Sequence, residues 1–180
     1  MVPPSDLLRS LLRLHSSVAV QFLPPVFRGE GGGLLLLAVV ALAPGTVAGV
    51  LWSPFLLSGR LRALVRTVDP TGVWPVTYAL CSVGTGSLVV VGFGLLLGNL
   101  PDDSAAGANL LLDGVVAAAL VLVAVGWAGP TLVAPRLGYD WDPTGYGLGT
   151  HALVLAGAVW YAAVLLTPFF LLSLVMALPT

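Results

Sequence analysis

The chain has 180 residues, of which 58% are hydrophobic and only 8% charged, with a mean hydropathy of +1.02. A soluble domain carries about 25% charged residues, so this composition excludes an ordinary water-solvated surface. The net charge of −1 leaves no basic footprint for nucleic acid, and the lone Cys81 excludes an intrachain disulfide.

From the N-terminus, residues 5–23 read as an amphipathic helix lying on a membrane surface. Leu7, Leu8, Leu11, Leu12 and Leu14 fall at helical spacing, with Arg9 and Arg13 four apart. Ser5 or Asp6 is placed to cap this helix. Both arginines and His15 interrupt the apolar residues, so the segment is not a signal peptide. Pro24-Pro25 ends it, and Gly29-Glu30-Gly31-Gly32-Gly33 forms a flexible joint.

Four apolar runs follow, at 34–52, 76–98, 109–129 and 151–172. Each reaches the roughly 20 residues needed to cross a bilayer core as a helix. None alternates as barrel strands do, and backbone groups in lipid need partners inside their own segment. Pro44 should kink the first run and Pro168 the fourth. Gly45–Gly49 and Gly94–Gly98 are GxxxG pairs, and Ser82–Gly86 is a pair of the same kind. They read as tight packing within one bundle rather than as specific dimerisation.

Between the first two runs, residues 58–68 form a second surface helix. Leu61, Leu64, Val65 and Val68 make one face, flanked by Arg62 and Arg66, and Asp69-Pro70 ends it. Trp52, Phe55, Trp74 and Tyr78 bracket it at headgroup level. The chain thus reads as one membrane domain over 1–180, an all-α integral membrane protein. It is a bundle of four transmembrane helices with one or two amphipathic interfacial helices, multi-pass in the cell membrane. Arg60, Arg62, Arg66 and Arg136 share one side, against Arg9, Arg13 and Arg28 on the other. Basic residues favour the cytoplasm, which places both termini outside.

Asp113 is the one acid inside a run. An ionisable residue within a span is costly and marks a functional candidate. Asn109, Asp113, Ala117, Ala124 and Ala128 share a helical face, expected to point at another helix. A proton or cation relay competes with a helix N-terminal acid favoured by the macrodipole, and the second is preferred. His151 and Cys81 are further candidates. Asp113 and His151 begin antiparallel spans, so they lie at opposite membrane faces and do not pair. A Cys81–His151 pair is geometrically possible, though nothing in the sequence orients it.

Two look-alike motifs lie before the last run. Thr144-Gly145-Tyr146-Gly147 resembles part of the TVGYG potassium-channel filter, a ring of backbone carbonyls. The valine is missing, and Asp140-Trp141-Asp142-Pro143 stands where a pore helix belongs, so a glycine-proline turn is expected. Asp140-Trp141-Asp142-Pro143-Thr144 also resembles the DxDxT motif of haloacid dehalogenase-like phosphatases. That family's α/β domain does not fit in the connection, and no Lys supports a phosphate. Asp140 and Asp142 read as solvated loop acids, since two carboxylates alone hold a divalent ion weakly.

No nucleophile–base pair, metal spacing or nucleotide loop is present, which argues against an enzyme and against any cofactor or metal. The expected function is a non-enzymatic membrane subunit, accessory protein or scaffold. A small transporter or channel component using Asp113 is the alternative, and an intramembrane enzyme the third. The expected partners are the lipid bilayer and a second copy or a membrane-complex subunit.

Overall fold

The computed structural model describes residues 30–101, 103–143 and 145–178; the helix expected over 5–23 lies outside them. Among the described residues every regular element is helical. Helix α1 spans Glu30–Trp52, followed by a 3-10 segment, Ser53–Leu57, with Pro54 near its start. Helix α2 is Gly59–Thr67 and α3 is Trp74–Leu97. Helix α4, Ser104–Ala128, runs through a π-helical turn, Gly129–Val133, into a last short piece, α5, Ala134–Arg136. Helix α6 is Leu148–Met176. Four stretches are long and apolar enough to cross a membrane: Leu35–Leu57, Trp74–Leu97, Ser104–Arg136 and Leu148–Met176. The chain divides into two compact units, Met1–Val40 and Ala41–Thr180. The first holds residues 30–40 of α1. The second holds the rest of α1 and every later element.

Neither Pro44 nor Pro168 interrupts its helix. Proline removes an N–H and leaves a carbonyl of the preceding turn short of a donor. Side-chain hydroxyls bond other carbonyls of those turns, next to the Val40 and Val164 carbonyls that lose a donor. Ser87 Oγ of α3 donates to the Ala41 carbonyl at 3.1 Å, and Thr46 Oγ1 to Leu42 at 2.9 Å. Before Pro168, Thr167 Oγ1 donates to the Ala163 carbonyl at 2.7 Å.

Small residues set the crossing of α1 with α3. Gly45 and Gly49 face Ser82 and Gly86, and Ser82 Oγ donates to the Gly45 carbonyl at 2.9 Å. These pairs therefore pack within the bundle, as expected. The third pair does not. A Cβ at Gly94 would meet nothing within 4 Å, and one at Gly98 would meet only its own helix's carbonyls. Both face outward.

Two apolar cores hold the second unit. Phe93 of α3, Leu111 and Val115 of α4 and Leu166 of α6 form one, with Phe93 stacked on Phe169 at 4.1 Å. Leu61 of α2, Trp141 and Val154 of α6 form the other. Helix α4 packs chiefly on α6, where Gly126 admits Ala158 at close range.

Helix α2 matches the expected 58–68 segment to within one residue at each end. Leu61 is buried, while Arg62 and Arg66 are exposed, with Arg66 over the Trp74 ring at 5.8 Å. The connection to α3 is a tight turn at Asp69-Pro70-Thr71-Gly72, and Gly72 takes φ +73°, which a side chain would strain. Asp69 Oδ1 accepts from the Thr71 amide at 2.8 Å and from the Thr71 and Thr77 hydroxyls. The Thr77 hydroxyl bond chiefly holds this carboxyl below its ordinary 3.8, with the Thr71 bonds acting the same way against desolvation. A depressed folded pKa contributes stability that is present above 3.8 and lost as pH falls through the lower folded value. Thr77→Val should therefore weaken the fold at neutral pH more than below that window. Thermal melts over a descending pH series from pH 7 check this; a loss that does not shrink towards acid pH would show that the Thr77 bond does not act through the ionised carboxyl.

Candidate functional site

Polar side chains converge where α2 and the start of α6 meet the loop between α5 and α6. Arg60 Nη1 donates to Thr150 Oγ1 at 3.0 Å, and Thr150 Oγ1 donates to Asp142 Oδ2 at 2.5 Å. Thr150 and Asp142 are buried, at 0% and 3% exposure. Asp142 is thus not the solvated loop acid the sequence suggests. A buried carboxylate needs hydrogen-bond donors, and the fold brings one from a helix eight residues on, itself bonded by an arginine ninety residues away in sequence. The Thr150 hydroxyl is committed on both sides, as acceptor from Arg60 and donor to Asp142. This is the arrangement of a brace rather than of an activated nucleophile.

The same loop is fixed by its aromatic residues. Trp141 is buried and its Nε1 donates to the Pro130 carbonyl, in the π turn, at 2.8 Å. Its backbone N–H donates to the Tyr146 hydroxyl at 3.2 Å, and that hydroxyl donates to Asp140 Oδ1 at 3.0 Å. The two rings meet edge to face at 5.5 Å. Desolvation pushes the Tyr146 phenol up, and its bond to Asp140 acts in the same direction. Asp140 is exposed and Gly145 takes φ +73°. The Gly145-Tyr146-Gly147 segment is a turn tied to its own loop, as the sequence suggests; Thr144 lies outside the described residues.

Next to this brace, His151 sits in the first turn of α6. Its ring lies 5.8 Å from that of Trp127, and its buried Nδ1 has no hydrogen-bond partner. Cys81 is exposed on α3 and does not bond His151. Among the described residues no group of three His, Cys, Asp or Glu stands close enough to hold a metal.

Asp113 departs most from expectation. Asn109, Asp113, Ala117 and Ala124 are all exposed, and only Ala128 is partly covered. The face expected to point inward is the outer face of α4, because Leu111 and Val115 take the core side. Asp113 is the tenth residue of α4 rather than a first-turn acid. The end of that helix is capped by Asp103, whose carboxylate accepts from the Ala105 amide at 2.9 Å. The dipole's influence fades within the first turn, so it does not account for Asp113.

An apolar cavity of about 350 Å³ lies beside the brace, lined by Trp52, Leu61, Tyr78, Cys81, Val125 and Tyr161 among others. Its indole and phenol groups are already spent on backbone carbonyls: Trp52 Nε1 donates to Gly157 at 2.9 Å and Tyr161 to Ser82 at 2.7 Å. Sequence reasoning missed both this space and the brace. Each depends on residues from three or more elements, and only the aromatic bracketing of α2 hinted at them.

Residues 32–180 match the family model described as "Domain of unknown function (DUF8162)". The chain belongs to that family. The match runs from the beginning of α1 past the end of α6, so it takes in the brace, the cavity and the outward acid. No curated protein and no solved structure matches the chain.

Proposed function

We propose that the chain is a non-enzymatic, multi-pass component of the cell membrane, a subunit or accessory protein that packs against another transmembrane chain. The observation behind this reading is the outward position of Asn109 and Asp113 on α4. In a bilayer these groups would meet lipid. A charged side chain at a span's centre costs about 2.5–3.5 kcal/mol on insertion scales, less towards the ends. A neighbouring helix that donates a hydrogen bond removes part of that cost.

A second feature lies at the same end. A Cβ at Gly114 would approach Leu96 of α3 to 2.8 Å, so Asp113 stands level with the last turn of α3. That turn carries the outward Gly94 and Gly98. Exposed glycines at i and i+4 allow close backbone approach between membrane helices. A second copy or a partner subunit packed on α4 would cover Asn109 and Asp113, and Gly94 and Gly98 offer a separate close-approach face on α3.

In membranes from cells making the full chain, the protein should stay in the pellet after alkaline carbonate extraction. With Cys81→Ser as background, Ala117→Cys should form a cross-linked adduct, and Asp113→Leu should reduce its yield severalfold. A chain released by carbonate, or one that stays monomeric without adducts at position 117, would overturn this reading.

A further inference from the structure

We propose that the apolar cavity beside α2 binds one acyl chain of an anionic phospholipid, with Arg62 and Arg136 holding the headgroup. The cavity opens on the side of the bundle, since Cys81 of α3 and Val121 and Val125 of α4 line it and are exposed. A second apolar cavity of about 460 Å³ shares Leu64, Val65, Tyr78, Cys81 and Pro130 with the first and continues it towards Val133 and Leu137. The two form one trough. Each is of the size of ligand sites, which run to about 300–1,000 Å³. Their walls are predominantly apolar, and the Trp52 indole and the Tyr78 and Tyr161 hydroxyls are used on backbone carbonyls, so a hydrocarbon chain fits better than a polar solute.

Charge selects the headgroup. Arg62 lies between Leu61 and Leu64, which line the trough, and Arg136 between Val133 and Leu137, which also line it. Both arginines are exposed, and among the described residues neither is paired with an acid. Arg66 is drawn onto Trp74 and Arg60 onto Thr150. The acids at this end are engaged: Asp69 by Thr71 and Thr77, Asp140 by Tyr146, Asp142 by Thr150. Two exposed arginines next in sequence to residues that line a hydrocarbon slot match a phosphate-bearing lipid, because planar guanidinium donors suit phosphate oxygens.

The inference rests on the membrane reading above, and its test separates the two. The full chain is placed in phosphatidylcholine nanodiscs with trace spin-labelled phosphatidylglycerol or spin-labelled phosphatidylcholine, and the immobilised fraction is read by electron paramagnetic resonance. Phosphatidylglycerol should be immobilised preferentially, by up to about fivefold for each arginine. Arg62→Gln with Arg136→Gln should bring it down to the phosphatidylcholine level. Val125→Phe should reduce the immobilised fraction. Blocking Cys81 with a bulky thiol reagent after folding should do the same, without asking a variant to fold. Equal immobilisation of both lipids by the unaltered chain, or a Cys81-blocked chain that keeps its phosphatidylglycerol, would overturn the lipid site alone. A chain that never enters the discs would overturn the membrane reading with it.

Discussion

Gly86→Val is expected to destabilise the bundle by about 3 kcal/mol, the upper part of the usual overpacking range. A Cβ at Gly86 would lie 2.2 Å from the Gly45 Cα and 2.6 Å from its nitrogen. Both are backbone atoms, so no rotamer change relieves the overlap and the two helices must separate. Separation would also break the Ser82 bond to the Gly45 carbonyl. Gly84, two residues away, is the control. A Cβ there meets nothing within 4 Å, and Gly→Ala inside a helix gains up to about 1 kcal/mol of propensity. Melting of the purified chain in one detergent should rank Gly84→Ala at or above wild type and Gly86→Val well below it. A Gly86→Val protein that melts with wild type would show that α1 and α3 do not cross there.

Asp142→Ala should be the second large loss, about 2 kcal/mol, in the range for removing a charged hydrogen-bond acceptor from buried partners. The Thr150 hydroxyl is fully buried and would lose its acceptor, and Arg60 would lose the negative charge beyond it. Asp142→Asn keeps an acceptor oxygen and should lose less. Arg60→Met should be non-additive with Asp142→Asn, because both act through one hydroxyl. The measurement is a double-mutant cycle in chemical denaturation. Additive losses would show that the three side chains do not form one brace. A brace of this kind holds α2 and the 137–147 loop to the start of α6.

Much of the fold was legible because long charge-free runs have few alternatives. The helix at 58–68 was legible from the spacing of Leu61, Leu64 and Val65. The packing of Gly45 and Gly49 on Ser82 and Gly86 followed from the small-residue pattern. That same pattern misled at Gly94 and Gly98, because spacing shows that backbones are able to approach and not whether a partner stands there. Asp113 failed for a related reason. Asn109, Asp113, Ala117, Ala124 and Ala128 do form a face, but α4 also offers the leucine and valine face of Leu111 and Val115. In so apolar a helix the contrast between faces is small, and periodicity does not choose which one turns inward.

By itself, the sequence determined four long apolar helices and a short amphipathic one, because charge content and residue spacing act locally along the chain. Only the tertiary structure decided that Asp142 is buried while Asp113 is exposed. The first depends on Arg60 and Thr150, which are distant in sequence from each other and meet only when α2 folds against α6. The second depends on how α4 rotates about its axis, which is set by the fit of Leu111 and Val115 against Phe93 and Leu166. Burial of a charge is decided by its neighbours in space, and those are not written in its neighbours along the chain.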